Sequence, residues 1–114
     1  MNLDLAKYFF PDSILDYFDI VSHKLEGGKV HFYLEEKNNL PEAFKTEQSK
    51  SKGFTPEIIV EDFPLRGKSV LLHIKRRRWT IITSGKIVKR DWSIVAKGTR
   101  ITSEFASFLK GILG

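Results

Sequence analysis

Ser69-Val-Leu-Leu-His-Ile-Lys-Arg-Arg-Arg-Trp-Thr-Ile-Ile82 is the stretch whose reading decides the fold. It is the longest extended run in the chain. Val70, Leu72 and Ile74 point one way, and His73, Lys75, Arg77 and Trp79 point the other, the two-residue period of a strand. Thr83-Ser84-Gly85-Lys86 follows as a turn, and Ile87 to Val95 is expected to return as the partner strand. Just upstream, Ile58–Phe63 reads as a strand closed by Pro64 and by a turn at Arg66-Gly67-Lys68.

Working outward, Gly27-Gly28 separates Asp19–Glu26 from Lys29–Glu36, the pattern of a hairpin whose second arm turns Val30, Phe32 and Leu34 to the core. Between the two hairpins, residues 37–57 are polar, with Asn38, Asn39, Pro41, Ser49, Ser51, Gly53 and Pro56. They read as a long loop with one helical turn at Pro41–Phe44. At the start, residues 3–10 suit a short helix ending before Pro11, and Pro11-Asp12-Ser13 offers capping for another at Ile14–Phe18. At the end, Thr102 caps a helix with Phe105, Phe108, Leu109 and Ile112 on one stripe. The expected fold is α+β: short N-terminal helices, a meander of antiparallel hairpins and a C-terminal helix. The expected core is Phe32, Leu34, Val70, Leu72, Ile74, Phe105, Phe108 and Leu109.

The 114 residues are one domain's length, 1–114, and at 41% hydrophobic they can fill a core. The absence of Cys excludes disulfides, thiol chemistry and Cys-ligated metal. No apolar run is long enough to span a membrane, and the start of the chain does not resemble a secretory signal, so a cytoplasmic protein is expected.

The net charge of +5 conceals an asymmetry. Residues 1–57 carry seven Lys against ten acidic residues, and residues 58–114 carry twelve Lys and Arg against four. All six Arg lie in the second half. Such a distribution favours a polyanionic partner, nucleic acid first.

The cations concentrate on the second hairpin. A two-residue loop at Ser84-Gly85 would set Trp79 opposite Arg90, Arg78 opposite Asp91 and Arg77 opposite Trp92. Arg76, Arg77, Arg78, Lys89 and Arg90 then form the expected nucleic-acid footprint, with Lys75, Lys86, Lys97 and Arg100 on its rim. Trp79 and Trp92 are expected to stack on bases or lie along the backbone, which also admits single strands or RNA. Arg forks suit phosphate oxygens, and a β-ribbon fits a major groove.

Catalytic chemistry finds no foothold. Glu35-Glu36 and Glu61-Asp62 read as solvated strand ends, and no three acids are spaced to hold two metal ions. His23 and His31 are placed to approach each other across the first hairpin, but two His alone make a weak metal site. Gly27-Gly28 lacks the Lys-Ser/Thr and helix of a phosphate loop. No enzyme activity, cofactor or metal is expected.

Ile59-Val-Glu-Asp-Phe-Pro-Leu-Arg-Gly-Lys-Ser-Val-Leu-Leu-His-Ile-Lys-Arg-Arg-Arg-Trp79, with Gly85-Lys-Ile-Val and Gly98-Thr-Arg-Ile-Thr-Ser-Glu-Phe105, resembles the N-terminal region of a group of bacterial insertion-sequence transposases. The resemblance extends to Leu34-Glu-Glu-Lys-Asn and Ser51-Lys-Gly-Phe54, covering most of the chain. More distantly it is similar to transposases of the zinc-ribbon type, whose Cys-x-x-Cys would fall at Thr80 and Thr83. The resemblance implies a metal-free ribbon, with Ile81, Ile82, Ile87 and Val88 supplying an apolar cluster in place of zinc. It also implies a non-catalytic, DNA-binding region that contacts element ends, with catalysis elsewhere. The alternative is an interaction or dimerisation module that docks on a separate catalytic domain or on itself through Tyr8, Phe9, Phe10 and the last helix.

Overall fold

The computed structural model describes Leu5, residues 7–93, Val95 and residues 103–113. Seven strands run through them: β1 (Phe18–Glu26), β2 (Lys29–Glu36), β3 (Ser49–Phe54), β4 (Ile58–Leu65), β5 (Lys68–Lys75), β6 (Arg77–Ile81) and β7 (Ile87–Lys89). Helix α1 (Asp12–Leu15) precedes the strands, helix α2 (Ser103–Leu113) follows them, and 3-10 turns occupy Lys7–Phe9 and Glu42–Phe44. The fold is α+β, built on two sheets ordered β1-β2-β5-β4 and β3-β6-β7.

The first hairpin forms as its glycines predict. Gly27 and Gly28 both have positive φ, 64° and 71°, and the two-residue turn pairs Glu26 with Lys29. That register sets His23 opposite Phe32 and Lys24 opposite His31, so the expected approach of His23 to His31 does not occur. Residues one register apart point to opposite faces. A bulge at Val21 then brings Ile20 opposite Leu34 and Phe18 opposite Glu36, returning β1 to the core.

The expected meander is corrected at β5, which pairs antiparallel with β4 but parallel with β2. A parallel partner needs a connection of a dozen residues or more, and the chain between β2 and β5 supplies it. A second correction concerns the run 69–82, which divides between the two sheets. Burial falls on Val70, Leu72 and Ile74 before Arg76 and on Trp79 and Ile81 after it, so the inward parity switches at the break.

Three further expectations change. Within the supposed loop 37–57, Glu42–Phe44 forms the expected turn, but Ser49–Phe54 is a strand paired with β6. The return strand ends at Lys89, and Trp92 and Ser93 are helical. Asp12–Leu15 is a single helical turn with Pro11 as its N-cap and no side-chain cap, and Phe18 already belongs to β1.

The larger core joins Phe10, Ile14, Phe18, Ile20, Phe32, Leu34, Val60, Val70, Leu72, Ile74, Trp92, Phe108, Leu109 and Ile112. Seven of the eight expected core residues are in it, and the Phe105 side chain lies outside the described set. Phe18 links the layers, stacked on Trp92 at 5.3 Å and edge-on to Phe108 at 5.4 Å. Helix α2 crosses β4 at Gly111, where a Cβ would lie 2.6 Å from a Val60 methyl. The smaller core is Trp79, Ile81 and Val88, with Leu40 and Phe44 packed against it. No helix among the described residues is long and apolar enough to cross a membrane.

Candidate nucleic-acid interface

The basic hairpin belongs to the three-stranded sheet, and β6 is its central strand. Thr80 pairs with Lys50 on one side and Ile87 on the other, and Arg78 lies between Gly53 and Lys89. Alternation turns Trp79, Ile81 and Val88 inward, so Lys50, Arg78, Thr80, Ile87 and Lys89 share the outward face. Lys52, the extra residue of a bulge between Ser51 and Gly53, is exposed beside them. No acidic residue occurs on any of the three strands.

The turn is longer than a two-residue loop. The Ile81 N–H donates to the Lys86 carbonyl and the Gly85 N–H to that of Ile81, leaving four residues between. Trp79 therefore faces Val88 and Arg78 faces Lys89, a slip of two residues from the expected pairing. A two-residue slip preserves faces, so Arg90 still lies over the Trp79 ring, at 5.8 Å. The expected Arg78–Asp91 pair does not form across the strands, because Asp91 lies beyond β7 and accepts from the Ser93 N–H at 3.0 Å.

Both Trp are buried, Trp79 at 1% and Trp92 at 5% exposure, which corrects their expected role as stacking platforms. Trp79 donates from Nε1 to Asn38 Oδ1 at 2.8 Å, and Trp92 packs in the larger core. Arg77 and Arg90 are also withdrawn. Glu36, expected at the surface, is 1% exposed and accepts from the Arg77 N–H at 3.0 Å and from Arg90 Nε at 2.9 Å. Its carbonyl accepts from Arg77 Nε at 3.0 Å, and Arg90 also donates to the Asn39 carbonyl. Arg77 donates further to Ser51 Oγ and lies 4.6 Å from the Phe54 ring. Burial raises the Glu36 pKa above its ordinary 4.5, opposed by the hydrogen bonds from Arg90 and Arg77.

Of the expected footprint, Arg78 and Lys89 therefore face outward on the sheet, and Lys86 is exposed in the turn. Arg76 sits at the break between the sheets, and its Nε, like that of Arg78, is buried without a hydrogen-bond partner. Lys75 ends β5 beside Glu35 on the other sheet. Lys97 and Arg100 lie outside the described residues. Of the apolar cluster expected to replace zinc, Ile81 and Val88 are buried, but Ile82 and Ile87 are exposed.

Lys50 and Lys52 were hidden by their setting. Ser-Lys-Ser-Lys alternates with period two, but its inward residues are small and polar, so no apolar rhythm announces a strand.

A second titratable cluster lies on the outward face of the four-stranded sheet. His73 Nδ1 is 2.9 Å from Glu57 Oε1, His73 Nε2 is 2.8 Å from His31 Nδ1, and Tyr33 stacks on His73 at 4.4 Å. Among the described residues, no group of three or more His, Asp or Glu is arranged to hold a metal ion.

Comparison with family models, with curated proteins and with solved structures found no match in any of the three.

Proposed function

We propose that the chain is a non-catalytic DNA-binding region of an insertion-sequence transposase, and that it holds duplex DNA against the outward face of β3, β6 and β7. The observation that carries this reading is the gathering of Lys50, Lys52, Arg78 and Lys89 on one sheet face whose strands contain no acidic residue. Burial of Trp79 and Trp92 favours duplex over unpaired strands, since neither ring is free to stack on a base. The transposase assignment rests on the sequence resemblance.

Binding to a fluorescent duplex across a range of salt concentrations tests the reading. Replacing Lys50, Lys52 and Lys89 by Gln should weaken binding on every sequence and flatten the slope of log K against log salt by about 0.9 for each phosphate no longer neutralised. The same affinity and slope in the triple variant would remove the sheet as the binding face.

A second reading, a docking module for a separate catalytic domain, is favoured by the exposure of Tyr8 and Phe9 beside the larger core. A chain that ignores DNA but forms dimers in gel filtration would favour it.

A further inference from the structure

We infer that the outward face of the three-stranded sheet divides its labour within a DNA major groove, with Arg78 and Thr80 reading base edges and Lys50, Lys52 and Lys89 holding the phosphates on either side. The inference rests on the DNA-binding reading above and adds to it the groove, the reading residues and sequence selectivity.

Dimensions make the first argument. Neighbouring strands lie about 4.8 Å apart, so the backbones of β3 and β7 flank β6 at a separation of about 10 Å. A B-DNA major groove is about 12 Å wide, and lysines on the two outer strands reach toward its walls while the central strand faces its floor. The minor groove, about 6 Å wide, does not admit three strands.

Position makes the second argument. Arg78 and Thr80 are alternate residues of the central strand, so their side chains project about 6.8 Å apart on the same face. That is about two base-pair steps at 3.4 Å each. Arg pairs in bidentate fashion with the guanine O6 and N7 edge, and Thr offers a hydroxyl and a methyl to a neighbouring pair. Exposed Ile87, directly beside Thr80, adds an apolar surface suited to a thymine methyl.

Local space makes the third. The residue beside Arg78 on β3 is Gly53, held at φ 88°, and a Cβ built there meets nothing within 4 Å. No side chain from β3 therefore stands beside Arg78 at this position. The Arg78 Nε is buried without a hydrogen-bond partner, whereas Arg77, its neighbour on the inward face, spends its donors on Glu36 and Ser51. One guanidinium is held by acceptors of the fold, and the Nε of the next, on the opposite face, is not.

Selection of preferred duplexes from a randomised pool by the full chain provides the test. The expected product is a short motif with a guanine whose preference falls tenfold or more in Arg78→Gln, while other positions keep theirs. Thr80→Val should relax a position about two steps away. A second measurement leaves the protein untouched: 7-deazaguanine at the selected position removes the N7 acceptor in the major groove. It should weaken the wild type and leave Arg78→Gln without further loss. Selection without any base preference, an unchanged motif in Arg78→Gln, or indifference of the wild type to 7-deazaguanine would each overturn the inference while leaving non-specific DNA binding intact. Failure of the wild type to bind any duplex at low salt would overturn the functional reading and the inference with it.

Discussion

Glu36 is where the chemistry of single residues weighs most. It ends β2, whose inward residues Phe32 and Leu34 belong to the larger core, and by parity it continues their row. A glutamate carried inward needs partners, and Arg77 and Arg90 provide them from the other sheet. Glu36→Ala should cost about 3–5 kcal/mol, because it strands Arg90 in a site where its side chain is only 10% exposed. Thermal unfolding measures this, and a variant melting like the wild type would refute it. Since burial raises its pKa, folded Glu36 binds a proton more readily than unfolded Glu36. Its contribution is therefore most favourable below the ordinary value of 4.5 and is lost as pH rises through the raised value. The stability of the wild type relative to Glu36→Gln should accordingly increase as pH falls toward 4.5, and a flat or opposite trend would contradict the sign.

At the scale of elements, helix α2 is held against β4 by close approach as much as by its apolar stripe. Gly111 faces Val60, a short stiff side chain that cannot swing aside, with its methyls 2.6 and 2.7 Å from the position of an added Cβ. Alanine would raise helix propensity by about 1 kcal/mol, while overpacking of this kind costs about 1–3 kcal/mol. Gly111→Ala should thus lower the melting temperature, and an increase would show that the helix shifts freely on β4. Strand β3 illustrates the converse: with Ser49 and Ser51 on its inward side, it owes its place to pairing with β6 rather than to buried apolar area.

Across the whole molecule, two cores of unequal size share an elongated body 49 Å long and about 26 Å across. The acids gather on one of the two sheets. Asp19, Glu35 and Glu61 belong to the outward face of the four-stranded sheet, and Glu57 joins them through His73. The charged residues on the strands of the three-stranded sheet are all cations, whereas Lys24 and Lys75 accompany the acids of the four-stranded sheet. Attraction for a polyanion is therefore strongest at the three-stranded sheet. Stability should divide as well. Leu72→Ala, at 0% exposure in the larger core, should cost about 2–5 kcal/mol and speed amide exchange throughout. Val88→Ala, in a core of three buried residues, should speed exchange in β3, β6 and β7 and leave β2 and β5 nearly unchanged. Uniform exchange in both variants would mean that the two sheets open as one unit.

Local rules were sufficient for the first hairpin, the inward faces of β2 and β5, the C-terminal helix and the turn at Glu42–Phe44, because glycine conformation and apolar period act over a few residues. The switch of inward parity around Arg76 escapes those rules, because 69–82 reads as one uninterrupted strand and the break shows only when both sheets are seen. Only tertiary structure decided that β5 lies parallel to β2, that β3 is a strand, and that Glu36 lies inside. It likewise separated Arg77 and Arg90, held by Glu36, from Arg78, which faces outward. The physical reason is that an Arg on a strand carries the same charge wherever it points. Its availability depends on a carboxylate 41 or 54 residues away in the chain, and no local pattern encodes that distance.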